Sequence, residues 1–469
     1  MIAGIGSAGE LAPSWRERLA GMAAGDRASR AHRRPRLLLG CWLLSVVTAG
    51  APSGCRKPAE PGAGTASAAA VPAAAAVPAA AAVPAAAAVP AAAAVPAAAV
   101  LPHPAPVIHD SHVHLTPLRE PVLQTLRIFE ANHIDRFAVK SAGAVGSPRY
   151  QATLQLARLL GPRLAFFVNP DWGDHLEPGY GEREAARLEQ AVKDGASGIK
   201  FFKALGLGVR DAQGRLWSVT TPELFPVWKK AGELKTIVAL HVGDPRAFFL
   251  PPTPENERYE ELRRAPQWSF HGGDYPSWEA LLAQQEELIA RFPETTFLGI
   301  HFGNAAEDPG YVARLLERYP NFHVDTSARL GEIGRHPREE VRAFFLRFQD
   351  RILFGSDLVV TPESMQLGSV SLDGRPPTME DADRFFRAHR LFFETGLSGI
   401  DHPTPSQGSW KVDAIDLPPS VLAKVYRENA DRLIFAPRRA WLTAHGGGVG
   451  GGGSSESRTG PPTPTTSSP

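Results

Sequence analysis

The sequence predicts an α/β fold, a TIM (β/α)8 barrel with loop insertions, and three observations carry that prediction. Between Val107 and Ala436, short apolar runs alternate with amphipathic stretches, the pattern of repeated strand–helix units and a parallel sheet. The apolar runs number eight, the count that a closed ring of such units needs. No glycine-rich nucleotide loop follows the first run, which argues against an open, doubly wound sheet.

Strands are expected at Val107–His114, Arg136–Lys140, Leu164–Asn169, Ser197–Phe202, Thr236–His241, Thr296–His301, Phe322–Asp325 and Ile352–Asp357. Helices are expected at Gly181–Lys193, Pro222–Leu234, Trp278–Phe292, Tyr311–Tyr319 and Arg338–Phe348, where apolar residues recur at helical spacing beneath charged faces. A last helix, Pro419–Ile434, is expected to close the ring. Two long insertions, Pro251–Tyr275 and Val359–Trp410, are rich in Trp, Phe, Tyr and His and read as lids that narrow the mouth.

The flanks differ in composition. Residues 1–55 read as an export region: Arg27, Arg30, Arg33, Arg34 and Arg36 precede the apolar stretch Leu37–Ala51, which is short for a membrane span. Small residues before Cys55 resemble a bacterial lipoprotein cleavage site, although Pro52 stands where leucine is usual. Ordinary cleavage and an uncleaved anchor are the alternatives. Arg33-Arg34 has poor flanks for a twin-arginine signal, and Met22 is an alternative start. Residues 56–106 form an Ala/Pro/Val linker. In it Val-Pro recurs from Val71-Pro72 to Val95-Pro96, and each proline interrupts the helix that the alanines favour. A semi-extended spacer follows. Residues 437–469 end in Gly, Ser, Thr and Pro and read as a disordered tail.

Bulk properties exclude several classes. The 469 residues carry a formal charge of +1, so there is no basic stripe for nucleic acid. Both cysteines, Cys41 and Cys55, precede the barrel, which therefore has no disulfide, no thiol nucleophile and no cysteine-bound zinc.

Chemistry concentrates at strand ends. In V-I-H-D-S-H-V-H-L, His112 and His114 are two apart, so a strand turns both to one face. Neutral imidazole is a preferred ligand for zinc and its neighbours. Lys200 lies in the fourth strand within G-I-K-F-F-K, His241 ends the fifth, His301 the sixth and Asp357 the eighth, within I-L-F-G-S-D. Each has a bland alternative: a hydrogen-bonded structural histidine, a helix-capping aspartate, an ion-paired lysine. Together they place six potential ligands, from five strands, at the carboxyl rim where barrel enzymes work.

On these residues the chain resembles the amidohydrolase superfamily, most of all its amidohydrolase-2 branch of metal-dependent hydrolases and decarboxylases. The matching residues are H-V-H at His112–His114, then His241, His301 and Asp357, and the resemblance spans Val107–Ala436. It implies a distorted barrel holding one or two divalent ions, often zinc, with His112, His114, His241 and Asp357 binding or flanking the first. In decarboxylase-type members the strand-six histidine, here His301, is a catalytic group that need not be a ligand. In two-metal members it holds the second ion, and a carbamylated strand-four lysine, the place of Lys200, bridges both.

A bound divalent ion lowers the pKa of water to about 7. Asp357 would take that proton and pass it to the leaving group. His301 would stabilise developing negative charge or hold a second ion, with Asp110 or Asn304 orienting the imidazoles. Trp172, Asp244, Arg246, Asn304 and Arg329 are the expected substrate-facing residues, the arginines as carboxylate clamps. The expected function is an exported metal-dependent hydrolase acting on an amide, ester or lactone of a small organic molecule. A non-oxidative decarboxylase and a non-catalytic envelope binding protein are the alternatives, the intact ligand set arguing against the last. The protein is expected in the periplasm or at the cell surface. Its membrane contact would be only a lipid at Cys55, and its oligomeric state is open.

Overall fold

The structure is a computed structural model describing residue 101 and residues 106–445, apart from 244, 369–374, 405–406 and 409. The export region, Cys41, Cys55, most of the linker and the tail beyond 445 lie outside the described residues. Eight strands pair parallel in chain order: β1 (Ile108–Leu115), β2 (Ile134–Val139), β3 (Leu164–Val168), β4 (Gly198–Phe201), β5 (Ile237–Leu240), β6 (Thr296–Gly299), β7 (Phe322–Asp325) and β8 (Ile352–Leu353). Helices follow the strands: α1 (Arg119–Ala131), α2 (Pro148–Leu160), α3 (Tyr180–Lys193), α4 (Phe225–Glu233), α5 (Trp278–Arg291), α6 (Pro309–Arg318) and α7 (Arg338–Arg347).

The expected eighth strand, Ile352–Asp357, is split. Asp357 has φ +58°, which breaks the ladder, and β9 (Leu358–Val360) resumes it against β1. Across the break Ser111 N donates to Phe354 O and Asp357 N to His112 O, both at 2.9 Å. The sheet therefore closes on its first strand, and a short β10 (Met365–Gln366) pairs antiparallel with β9.

Strand residues alternate between two cores. Ala138, Ala165, Phe167, Ile237, Ala239, Leu298 and Leu353 form the inner cluster, while Phe137, Phe166, Ile199, Val238 and Phe297 belong to the core beneath the helices. Gly198 makes room for the Phe167 ring: a Cβ there would stand 2.7 Å from Phe167 Cε1 and 2.1 Å from Ile237 O.

The inner core is completed by Phe435 and by Ala430 and Ile434 of the segment expected to be one helix at Pro419–Ile434. It begins as α-helix at Pro419–Ala423, passes through wide π-type turns at Lys424–Glu428 and Asp431–Phe435, and becomes α-helix again at Ala436–His445. Residues 437–445, assigned above to the tail, are thus helical. Arg438 is buried and donates to Gly195 O (3.0 Å) and Ala157 O (3.3 Å), while Trp441 Nε1 donates to Lys193 O (3.0 Å).

The two insertions are anchored to the body. Val359–Trp410, expected as a lid, contains α8 (Met379–Glu394), started by a Thr378/Asp381 capping box. Phe385, Phe386, Phe392 and Phe393 of α8 are buried, with Phe386 against Phe129 and Phe393 against Phe345 and Tyr426. Much of that insertion is therefore an outer helix. In the other insertion, buried Arg258 donates to Glu261 (2.8 Å) and to Glu332 from the loop after β7.

The loop after β3 is clipped to α3 by Glu184, whose carboxylate accepts from Asp171 N (3.3 Å) and Arg187 Nη1 (3.0 Å). Burial pushes the Glu184 carboxyl up to about 7, against those hydrogen bonds. The native state thus holds this proton more tightly than the unfolded chain does. The resulting stability is present below about pH 4.5 and is lost as pH rises through about 7. Glu184→Gln should match wild type in urea denaturation at pH 4.5 and exceed it at pH 8, by a difference on the order of 3 kcal/mol. Equal stabilities at both pH values would contradict this account.

Candidate metal centre

β1 delivers His112 and His114 to the carboxyl rim, and closure of the ring brings Asp357 beside them. Asp110 bolts the seam: one carboxylate oxygen accepts from His112 N (3.0 Å) and Ser356 N (3.1 Å), and Ser356 Oγ donates to the other. The approach requires Gly355, where a Cβ would stand 3.1 Å from both His112 Cβ and Ser327 Cβ. The outcome is a triangle of ligand atoms. His112 Nε2 to His114 Nε2 is 3.3 Å, His112 Nε2 to Asp357 Oδ1 is 3.4 Å, and His114 Nε2 to Asp357 Oδ1 is 3.3 Å.

These edges fit a cation. Ligands at about 2.0–2.1 Å from a tetrahedral ion are separated by about 3.3–3.4 Å. His112 Nδ1 faces Asp325 Oδ2 at 3.0 Å, an acceptor, so the Nδ1 proton is used there and Nε2 offers its lone pair to the triangle. Burial pushes the His112 imidazolium down to about 3 and also lowers His114. Burial alone would raise Asp357, but the surrounding His112, His114 and His301 outweigh it and hold the carboxyl well below its usual range. Two neutral imidazoles and an ionised carboxylate make a donor set suited to a divalent ion. Among the described residues this is the one group of His, Cys, Asp and Glu close enough to share one.

The other expected ligands surround the triangle. His301 is buried, with Nε2 4.0 Å from Asp357 Oδ2. The half-buried His241 ring meets it edge-on at 4.5 Å between centroids. Lys200 is buried on β4, its Nζ 5.0 Å from the Phe202 ring centre, and Phe202 lies 5.8 Å from the His114 ring.

The sixth strand ends sooner than expected because its last residues reverse hand. His301, Phe302, Gly303 and Asn304 all have positive φ, from +53° to +71°. Left-handed backbone costs about 1–2 kcal/mol at each non-glycine residue, so the turn needs external support. Asp325 Oδ1 accepts from His301 N at 2.9 Å, and Phe302 is buried against Phe344. Asn304 Oδ1 accepts from Val242 N (3.1 Å), and its amide donates to Gln285 Oε1 (2.7 Å) and Leu240 O (3.2 Å).

Asn304, expected at the substrate, thus spends its amide on β5 and α5. Arg246 has a side chain 54% exposed, near Glu279 (3.6 Å), and its backbone N donates to Glu307 Oε1 (2.9 Å). Arg329 is buried beside Glu307 and Glu332 and donates to Ala328 O (2.6 Å). Trp172 stacks on Tyr180 and meets Phe201 and Trp217 edge-on, in an aromatic cluster under the rim. Asp244 lies outside the described residues.

Sequence reasoning passed over Asp325, Ser327 and Lys140. The signal for Asp325 was its place at the end of the seventh strand, at the same rim as the others. Lys140 is buried at the end of β2 with Nζ 3.2 Å from the Phe167 ring centre, and burial holds its pKa well below the ordinary range.

A family model described as Amidohydrolase, of the amidohydrolase-2 type, matches residues 61–435. The chain belongs to that family, an enzyme of the metal-dependent hydrolase class. None of the curated proteins matches it. Among solved structures it is similar to 2,6-dihydroxybenzoate decarboxylase in complex with 2,6-dihydroxybenzoate, at 16% identity and TM-score 0.40, over 70% of this chain and 100% of that one. A TIM-barrel protein of Bordetella bronchiseptica matches at 13% identity and TM-score 0.42, over 71% and 99%. Dihydroorotase of Campylobacter jejuni matches at 14% identity and TM-score 0.40, over 70% and 82%.

The triangle predicts one tightly held ion per chain. Chelator-stripped protein titrated with cobalt should develop the intense visible bands of a four-coordinate ion, and His114→Ala should weaken uptake at least about 100-fold. Lys200→Ala should leave the stoichiometry at one. A wild-type value of two that falls to one in Lys200→Ala would instead mark a bridged, binuclear centre.

Proposed function

We propose that this amidohydrolase-2 member is an exported hydrolase that directs a zinc-activated water at an amide, ester or lactone bond of a small organic substrate. The observation that carries the reading is the triangle of His112 Nε2, His114 Nε2 and Asp357 Oδ1, with edges of 3.3–3.4 Å. A divalent ion held there supplies Lewis acidity, making hydroxide available near pH 7 and polarising a substrate oxygen. The chain's own residues supply the rest. His112 and His114, kept neutral by burial, offer lone pairs to the ion. Asp357 is ionised, and while Oδ1 belongs to the triangle, Oδ2 faces the His301 side at 4.0 Å. Oδ2 can therefore accept the proton of an attacking water and return it to the leaving group. The inner core below the site is solid with side chains, which leaves the loop-built rim as the approach for substrate.

Export rests on the basic run from Arg27 to Arg36 ahead of the apolar stretch Leu37–Ala51. A periplasmic or surface location follows, with Cys55 as the residue a lipid would modify.

Decarboxylation on the same scaffold is a second reading, favoured by one observation: His301 stands 4.0 Å from Asp357, outside the ligand triangle. This is the arrangement expected where the strand-six histidine acts on substrate without holding metal.

The two readings separate on products. Zinc-loaded protein assayed against lactones, esters, cyclic amides and hydroxybenzoates in 18O-water should open a substrate with one 18O incorporated and release no carbon dioxide. Asp357→Asn should lower kcat by at least about 1000-fold. Carbon dioxide release without 18O in the product would replace hydrolysis by the second reading.

A further inference from the structure

His112 and His301 come from strands on different sides of the site, yet their far nitrogens meet at one junction. Asp325 Oδ2 faces His112 Nδ1 at 3.0 Å, and its Oδ1 receives His301 N (2.9 Å), Ser327 N (3.2 Å) and Ser327 Oγ (2.5 Å). Ser327 Oγ in turn lies 2.9 Å from His112 Nδ1 and 3.1 Å from His301 Nδ1, and Ser327 O lies 2.9 Å from His301 Nδ1. All the groups are buried.

The protons in this junction have one consistent arrangement. A carbonyl oxygen only accepts, so the contact with Ser327 O requires a proton on His301 Nδ1. An ionised carboxylate only accepts, so the contact with Asp325 Oδ2 requires a proton on His112 Nδ1. The single hydroxyl proton of Ser327 goes to Asp325 Oδ1 at 2.5 Å, which leaves Oγ to accept from both imidazoles. Each requirement is independent, and none conflicts with another. The same carboxylate also holds the left-handed His301 backbone through its N–H, so ring state and ring position share one support.

We infer that Asp325 and Ser327 are positioning residues that hold a proton on Nδ1 of both His112 and His301, so that each ring turns its Nε2 toward the site. The hydroxyl makes the two histidines one unit: a shift at His301 is felt at His112 through a single oxygen. This narrows the chemistry of the site. In its neutral form His301 therefore turns a lone pair at Nε2, not an N–H, toward the site.

The inference rests on the metal centre proposed above, but its first test is made without metal, so the two can fail separately. In chelator-treated full-length protein labelled with 15N-histidine, long-range proton–nitrogen spectra report which ring nitrogen carries hydrogen. His112→Gln and His301→Gln identify the signals. Both rings should show a protonated Nδ1 at neutral pH. Asp325→Asn should abolish the single form at His112 and weaken zinc binding by about 10–100-fold, with an unchanged circular dichroism spectrum. Ser327→Ala keeps the carbonyl at 327 and the carboxylate. It should therefore preserve both ring forms, shift the His301 signals and weaken zinc less than about tenfold. A His301 Nδ1 without hydrogen in the wild type overturns the inference. So does Asp325→Asn with wild-type ring forms and zinc affinity. If Asp325→Asn does not fold, the wild-type spectrum and Ser327→Ala decide alone. Absence of zinc binding together with the expected ring forms would reject the metal centre and leave the junction standing.

Discussion

The meeting of the eighth strand with the first is the constraint on which the molecule depends. Asp110 and Ser356 are 246 positions apart, yet three hydrogen bonds onto one buried carboxylate hold the seam. The cost of leaving several buried donors unpaired makes such a seam all-or-none. Closing the sheet and assembling the centre are the same event, because the backbone bond from Asp357 N to His112 O joins two members of the ligand triangle. The left-handed φ of Asp357 serves both ends: it interrupts the ladder and turns a carboxylate toward the imidazoles.

A second region of left-handed backbone lies across the rim, at His301 to Asn304. Strain of that size persists only where neighbours over-determine the conformation, and here β5, α5 and β7 each contribute a polar contact. Asn304 illustrates how a rim residue can be essential without touching substrate. Its side chain replaces the hydrogen bonds that β5 and the turn cannot give each other.

Much of the fold was legible because each strand carries its own apolar run, and barrel strands buried on both faces cannot hide that signal. The two-residue spacing of His112 and His114 was legible for the same reason: parity alone puts them on one face. What sequence concealed was of three kinds. Asp325 looked like an ordinary strand-ending acid, and only the convergence of β1, β6 and β7 reveals that it serves two histidines. The helix α8 was masked by its own aromatic richness, since Phe385, Phe386, Phe392 and Phe393 suggested a lid when they face the core. Rim arginines and Trp172 gave no sign of their partners, because Glu279, Glu307 and Trp217 lie far from them in the chain. Loop direction is set by tertiary contacts that no local pattern encodes.

The plug of Ala430, Ile434 and Phe435 comes from the far end of the described chain and shares the lower barrel with strands laid down early. Such long-range pairing is slow to form, since loop closure must precede any reward. Until β9 pairs with it, β1 is an edge strand with unsatisfied backbone groups, a template for a neighbouring copy. Its sequence, I-H-D-S-H-V-H-L, carries polar residues among the apolar ones. Polar side chains in such a strand are of the kind that disfavour pairing between copies, so the residues that finish at the ligand triangle also make β1 a poor template while its edge is open.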